Sequence, residues 1–202
     1  MSGSVFDPNY QESSLESKIV VGLERLSSAF RALLWEHAKE IGLSPIQIQL
    51  LIFTAFHPSH LCNVSHLAAE FNLTKPTISE AIRVLANKGL VSKQRSESDL
   101  RAFTIVLTQE GRQIVTATED FSSPIHSLVS RLEVSQQEQL FSSLTQLISG
   151  LNRTGVLSVQ RTCSNCRFFA QLENRFHCNL MQKELQAQDL RLDCNEFQIK
   201  SA

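Results

Sequence analysis

The sequence predicts a mainly α-helical fold that carries one small β-hairpin and ends in a cysteine-rich tail. Three observations predict it. Apolar residues recur every three or four positions over most of the chain between residues 14 and 151, which is the period of amphipathic helices. Two short runs, at 91–94 and 103–107, flank a polar charged loop as the strands of a hairpin would. Four of the five cysteines fall at or after position 163.

The N-terminal third predicts one long helix. Residues 1–13 are polar, and we expect them to lack fixed structure. A helix is then predicted over 14–42, because its apolar residues form a single stripe over roughly seven turns. A helix of this length extends beyond the body of a small domain. We therefore expect part of its stripe to contact a second subunit, so that residues 14–42 form a dimerisation helix.

Residues 43–107 contain a pair of closely spaced helices followed by the hairpin. Ser44 and Pro45 are typical of a helix start, and the helix that follows them is apolar on nearly all sides. Asn63 then caps a short helix that Asn72 ends, and the next helix starts at Thr74. Two helices joined by about three residues form a helix-turn-helix.

The second helix of this pair has a polar, outward-facing start beside a cationic hairpin. Such a helix suits the DNA major groove, with the hairpin as a wing against flanking phosphates. Residues 43–107 are therefore predicted to be a winged helix-turn-helix that binds DNA. Its predicted DNA-binding residues are Lys75, Thr77, Ser79 and Arg83 on the helix, and Lys93, Arg95, Asp99 and Arg101 on the wing.

Composition limits the other possibilities. The 202 residues, 42% of them hydrophobic, allow one or two domains with a real core. The formal net charge is −1, but the segment between positions 72 and 112 contains seven basic and four acidic residues. No apolar run approaches the length that spans a bilayer, and residues 1–14 lack the pattern of a signal peptide. We therefore expect a cytoplasmic protein without a membrane partner.

A second set of helices follows the hairpin. Thr108 is a typical helix cap, and apolar residues continue at helical spacing to about residue 151. These helices have no core of their own to cover. Residues 108–160 are therefore expected to pack with the first helix between two copies of the chain.

Residues from about 15 to 151 resemble the MarR (multiple antibiotic resistance regulator) family of winged-helix repressors. Three stretches carry the resemblance: Leu43-Ser44-Pro45, the run LTKPTISEAIRVLANKGLV at 73–91, and Asp99-Leu100-Arg101 followed by LTQEG at 107–111. The resemblance implies a homodimer that binds a pseudo-palindromic double-stranded DNA operator through two recognition helices. It also implies that Asp99 holds Arg101 against the minor groove or its phosphates.

The tail, residues 161–198, is predicted to be a metal or cluster module. Its cysteines follow the pattern C-x2-C-x11-C-x15-C, and they are Cys163, Cys166, Cys178 and Cys194. Stable disulfides are not expected in a reducing cytosol, so four clustered thiols indicate a metal. Four thiolates suit zinc and also an iron–sulfur cluster. The uneven spacing favours the cluster. A helix is expected between Leu180 and Leu190.

These features predict a non-enzymatic, homodimeric repressor whose four-cysteine site senses redox or iron state. The signal would pass through the dimerisation helices, whose angle sets the distance between recognition helices. Two alternatives stay open. One is a repressor that responds to a small lipophilic effector and carries a structural zinc. The other is a winged helix that binds protein instead of DNA. An enzyme is not expected, because no catalytic triad, carboxylate pair or phosphate-binding glycine loop is found in the sequence.

Overall fold

The computed structural model describes residues 3–95, 103–159, 161–172 and 175–200. The mainly helical class with a small antiparallel hairpin is confirmed. The helices are α1 (Pro8–Glu12), α2 (Leu15–Ile41), α3 (Pro45–Phe56), α4 (Val64–Glu70), α5 (Lys75–Asn87), α6 (Gln109–Thr118), α7 (Ser123–Val129) and α8 (Val134–Arg153). Helix α1 lies in the segment that was expected to lack fixed structure, and the Asp7 carboxylate caps it by accepting the Asn9 N–H at 3.0 Å.

Local sequence sets the helix boundaries. The Ser14 hydroxyl accepts the Ser17 N–H at the start of α2, and Gly42 ends that helix with a φ of 64°. The Asn63 side chain caps α4 by accepting the His66 N–H at 2.9 Å. Asn72, with a φ of 51°, turns the chain from α4 toward α5. The helix-turn-helix predicted from capping residues is therefore present.

The core lies where α3, α4 and α5 meet. Helix α3 is central, because Ile48, Leu50 and Leu51 are each at most 2% exposed. Leu67 of α4 and Ile78 of α5 pack into the same cluster and are fully buried. The apolar, all-round character of α3 in the sequence thus reflects a helix covered on most of its surface.

The hairpin consists of β1 (Val91–Arg95) and β2 (Phe103–Leu107) in antiparallel register, with Val91 opposite Leu107. Its inward residues join the core beside α6. The Ile105 N–H also donates to the Cys62 carbonyl oxygen at 2.7 Å, which fixes the hairpin base against the chain before α4. The loop at 96–102, which includes the predicted residues Asp99 and Arg101, lies outside the described residues.

The long helices α2 and α8 leave apolar side chains exposed. These exposed residues are Leu15, Ile19, Val20, Leu23, Leu26, Phe30 and Trp35 of α2, and Val134, Leu140, Leu147 and Leu151 of α8. Buried side chains are few along both helices, and Ser149 is the one in α8. A single copy of the chain therefore does not cover these apolar stripes.

The tail folds into a small β-module instead of the expected helix. Strands β3 (Phe169–Leu172), β4 (Arg175–Cys178) and β5 (Lys183–Leu185) form an antiparallel sheet in that order. The prediction of a helix over 180–190 was wrong. Leu185 alone of the three leucines there is buried, opposite Phe176 of β4, and Gln182 turns the chain with a φ of 51°.

Within the described ranges, no helix combines the length and apolar character needed to cross a bilayer.

Candidate DNA-binding surface and four-cysteine site

Helix α5 is positioned by its cap and by its buried face. The Thr74 hydroxyl accepts the Thr77 N–H at 3.3 Å, and Pro76 occupies the first turn, where an N–H has no helical partner. Ile78 and Ile82 lie in the core, so the opposite side of the helix faces solvent. This arrangement fixes which α5 side chains could contact a partner.

The four predicted α5 residues, Lys75, Thr77, Ser79 and Arg83, are all exposed. Two of them have partners within the helix. The Thr77 and Thr74 hydroxyls lie 2.8 Å apart. The Arg83 guanidinium makes two hydrogen bonds to the Glu80 carboxylate, at 2.6 and 2.8 Å. Contact of Arg83 with a ligand would therefore compete with Glu80.

On the hairpin, Lys93 and Arg95 are exposed on β1. They extend the polar surface of α5 toward the loop that contains Asp99 and Arg101, whose structure is outside the described residues. Lys88, which contributes to the local positive charge, has another role. Its Nζ donates to the Gly42 carbonyl oxygen at 2.9 Å and so ties the end of α5 to the end of α2. No local sequence pattern predicts this contact, because the two residues are 46 positions apart.

An apolar groove of about 1100 Å³ lies between α2, α3 and α5. Phe30, Trp35, Ile46 and Phe121 contribute to its walls, and Arg31 and Gln49 are among its polar residues. Thr77 of α5 also lines it. A molecule bound in this groove would touch both a long helix and the exposed helix of the helix-turn-helix.

The four predicted ligand cysteines line one small cavity in the tail. Cys163 and Cys166 come from a 3₁₀ turn (Cys163–Asn165) and its end, Cys178 from β4, and Cys194 from the loop after a second 3₁₀ turn (Ala187–Asp189). The cavity has a volume of about 30 Å³ and is walled mainly by apolar side chains, including Phe168, Phe169 and Leu180. The fold thus brings together thiols spread over 32 positions.

Two of these sulfur atoms each have a hydrogen-bond donor of Arg191 nearby. The Arg191 backbone N–H lies 3.2 Å from Cys163 Sγ, and the Arg191 guanidinium lies 3.7 Å from Cys194 Sγ. Burial raises the pKa of the Cys163 thiol, and the Arg191 N–H partly opposes this increase. As the side chains stand, no group of three or more His, Cys, Asp or Glu residues in the described part of the chain is arranged to hold a metal ion.

An ion-pair network centred on one buried arginine joins the tail to the helix-turn-helix, and the sequence did not predict it. At its centre is Arg161, whose side chain is 7% exposed. The guanidinium makes a bidentate pair with Asp193 at 2.7 and 3.0 Å, and its Nη1 donates to Glu70 Oε2 at 2.6 Å. The same Nη1 lies 3.2 Å from His66 Nε2.

The network continues into the core. Asp193 Oδ2 lies 2.7 Å from His57 Nε2, and the His57 ring stacks on Phe53 with centroids 3.7 Å apart. Arg161 also lies over the Phe53 ring, 5.4 Å from its centroid. Burial opposes charge on Arg161, but hydrogen bonds to Asp193 and Glu70 hold the pKa of its guanidinium above its ordinary value. Likewise, burial would raise the pKa of Asp193, yet hydrogen bonds from Arg161 and His57 hold it low.

Comparison with known proteins finds similarity in the helix-turn-helix part of the chain. A family model, that of the MarR family, matches residues 41–102, which run from the end of α2 through β1 and stop before β2. A relative from Bacillus subtilis (strain 168), the uncharacterized HTH-type transcriptional regulator YhbI, is 28% identical over 142 residues, or 66% of this chain and 92% of that protein.

Solved structures give the same result. S. aureus MepR in a complex with DNA matches with 25% identity and a TM-score of 0.58, over 65% of this chain and 97% of its own. A MarR transcriptional regulator from Methanosarcina mazei Go1 is 20% identical with a TM-score of 0.58, over 69% of this chain and 99% of its own, and it supports the fold. The family match and these structural neighbours show that the helix-turn-helix part of the chain is similar to MarR-family winged-helix transcriptional regulators.

Proposed function

We propose that the chain is a homodimeric, sequence-specific DNA-binding repressor. The observation that carries the proposal is the exposed polar surface of α5 beside the basic strand β1, on a scaffold like that of the MepR–DNA complex. The α5 side chains would read base edges in the major groove of a pseudo-palindromic operator. Lys93 and Arg95, together with Arg101 of the wing loop, would lie along the phosphates. The protein acts by binding and not by catalysis.

The dimer follows from the uncovered stripes of α2 and α8. A row of apolar side chains along 27-residue α2 is costly in water, and a second copy would cover it. Symmetry then places two α5 helices on one face of the dimer. Their spacing must match operator half-sites about one DNA turn apart, roughly 34–36 Å.

A selection from randomised duplex DNA, followed by gel shift on the enriched sequence, tests this proposal. We expect an inverted repeat to be enriched, with binding that weakens steeply as salt rises. Size-exclusion chromatography with light scattering should give twice the mass of the 22.7 kDa chain. A monomer, or a failure to enrich any duplex, contradicts the proposal. The second outcome favours a winged helix that binds protein.

We propose further that the tail binds a metal through Cys163, Cys166, Cys178 and Cys194. Their chemistry fits, because four thiolates and the backbone N–H near Cys163 are a usual setting for a metal–thiolate centre. A cavity of about 30 Å³ between these thiols has room for one or two water-sized groups, a size that suits a single zinc ion. Zinc, when bound, would hold the module together without redox change.

An iron–sulfur cluster, which the ligand spacing favours, is the other candidate and would make the module a sensor of redox or iron state. Metal analysis and a visible spectrum of protein purified without oxygen separate the two. A colourless protein with one zinc per chain is expected. Brown protein with charge-transfer absorbance would instead identify an iron–sulfur cluster. Protein without bound metal in either preparation contradicts the metal proposal.

The apolar groove between α2, α3 and α5 supports a second signal, a small lipophilic effector. A molecule in this groove would contact Thr77 of α5 and Trp35 of α2 together, and so would oppose any shift between them. Ligand-induced release from DNA with the metal still bound would identify this mode. We expect Trp35 fluorescence to change on binding, since it is the single tryptophan of the chain.

A further inference from the structure

We propose that Arg161 is a positioning residue that couples the four-cysteine module, through the end of α4, to the start of the DNA-reading helix α5. The coupling rests on the proposed function, because it presumes that α5 binds DNA and that the thiols bind metal. It differs from coupling through the angle of the dimerisation helices. The signal would travel within one chain, from the module to α4 and then to α5.

On the module side, the Arg161–Asp193 pair lies close in sequence to two of the four cysteines. Arg161 precedes Cys163 by two residues, and its partner Asp193 is adjacent to Cys194. The backbone joins the same two segments, since the Cys194 N–H donates to the Arg161 carbonyl oxygen at 3.1 Å. Where the four thiols are held together, the bidentate Arg161–Asp193 pair is therefore held as well.

On the helix-turn-helix side, Arg161 contacts the end of α4. Glu70, which accepts from Arg161 Nη1, is the last residue of that helix, and His66 lies one turn earlier. Three residues then lead to Thr74, the cap of α5. Among them is Asn72, whose side-chain oxygen accepts a hydrogen bond from Ser158 of the segment leading into the module, at 3.3 Å. The module and its linker thus contact the end of α4 and the middle of the turn that leads to α5.

The burial of Arg161 makes this contact sensitive to the state of the module. A guanidinium that is 7% exposed needs its carboxylate partners, because an unpaired buried charge is costly. If the module loosens, Asp193 leaves, and the carboxylate that still pairs with Arg161 is Glu70. Arg161 then moves toward water, and the end of α4 loses its anchor. Because coupling is reciprocal, DNA binding should also tighten metal binding.

The experiment uses full-length protein with two variants and one control. Arg161→Met removes the guanidinium and keeps an apolar chain of similar length. Asp193→Asn keeps the size of a side chain that is 45% exposed, and serves where Arg161→Met folds poorly. Lys183→Met is the control, because it breaks an exposed ion pair, Lys183–Asp189 at 2.9 Å, inside the module but away from α4. Each protein is measured with metal bound and after removal by a chelator.

Two quantities are measured: affinity for the duplex enriched by the wild type, and hydrogen–deuterium exchange over residues 64–75. For the wild type and Lys183→Met, metal removal should weaken DNA binding at least about tenfold and speed exchange over 64–75. In Arg161→Met and Asp193→Asn, metal content should be retained, while exchange is already fast and the metal effect on affinity falls below about twofold.

A wild type that binds DNA equally with and without metal overturns the coupling and leaves the proposed function intact. The same holds if the two variants respond to metal removal as the wild type does. A wild type that enriches no duplex contradicts the proposed function instead. Exchange over 64–75 that Asp193→Asn leaves unchanged in the metal-bound protein also overturns the coupling.

Discussion

Gly111, in the first turn of α6, lies directly against the backbone carbonyl of Leu90. A β carbon built on Gly111 would be 2.0 Å from the Leu90 oxygen. The same junction is held by the Thr108 N–H, which donates to that oxygen at 3.1 Å, and by the Thr108 hydroxyl, which donates to the Gly89 carbonyl at 2.7 Å. Glycine is therefore needed here for close approach, because the obstacle is backbone and not a flexible side chain.

Gly111→Ala should destabilise the protein by about 2 kcal/mol or more, because α6 must move away from the hairpin base. Urea unfolding followed by circular dichroism measures the change. Gly150→Ala is the matched control, since a β carbon there meets only Arg153 Nη2, at 3.9 Å. It should be neutral or stabilising, by up to about 1 kcal/mol. Equal stability of Gly111→Ala and the wild type would refute this view of the junction.

Glu80 should restrain DNA binding by holding Arg83. The hydrogen bonds from Arg83 lower the pKa of Glu80, so the carboxylate stays charged at neutral pH. Glu80→Gln removes a negative charge from α5, the helix that we propose to bind DNA, and weakens the hold on the guanidinium. We expect affinity for the enriched duplex to rise roughly threefold to tenfold at low salt, and the gain to shrink as salt rises. Arg83→Ala should weaken binding by about tenfold. Tighter binding by Arg83→Ala would exclude a contact between Arg83 and DNA.

His66 should make the protein less stable in mild acid. Burial lowers the pKa of His66 from 6.5, and the charge of Arg161 lowers it further. The unfolded chain therefore binds a proton at this site more readily than the folded protein, and stability falls as pH decreases below about 6.5. The other charged or titratable groups near it are Glu70, which opposes the shift, and His57 and His60, which add to it.

Thermal unfolding of the wild type and His66→Gln at pH 5 and pH 7 measures this contribution. His66→Gln cannot take up the proton, so its melting temperature should fall less between pH 7 and pH 5 than that of the wild type. The comparison isolates His66, since both proteins keep every other titrating group. If the melting temperatures of the two proteins fall equally between pH 7 and pH 5, a group other than His66 causes the acid sensitivity.

The five cysteines should differ in reactivity. Cys62 is 1% exposed, and burial raises the pKa of its thiol, so the reactive thiolate is scarce. Folded, metal-bound protein should react slowly with a thiol reagent at all five positions. After chelation, four cysteines should react rapidly while Cys62 stays slow until the protein is unfolded. Mass spectrometry of the labelled peptides identifies the positions. Protection of the tail cysteines that survives chelation would contradict a metal-held module.

The structural features that the sequence predicts are those that depend on residues close to one another in the sequence. The helix starts at Ser14, Asn63 and Thr74 could be predicted because each cap acts on a residue three positions away. The exposed face of α5 followed from helical spacing. The four thiols could be grouped because cysteines are rare elsewhere in the chain. In each case a local pattern is sufficient.

The tail sheet and the Arg161 network could not be predicted in this way. Leu180 and Leu190 suggested a helix, but the buried contact of Leu185 with β4 depends on pairing across the sheet. Arg161 and Glu70 are 91 positions apart, and no local pattern marks either as one of an ion pair. Charged residues are usually exposed, so only the folded chain identifies a buried one.

Helix α5 is supported at two points that belong to different parts of the molecule. Its trailing end is tied by Lys88 to the end of α2, and its leading end is approached through Glu70 by Arg161. The two ends of this 13-residue helix therefore depend on different contacts, one with α2 and one, through α4, with the four-cysteine module. A movement of α2 or of the module alone would tilt α5, whereas equal movements of both would only translate it. The orientation of α5 would then depend on the difference between the two movements.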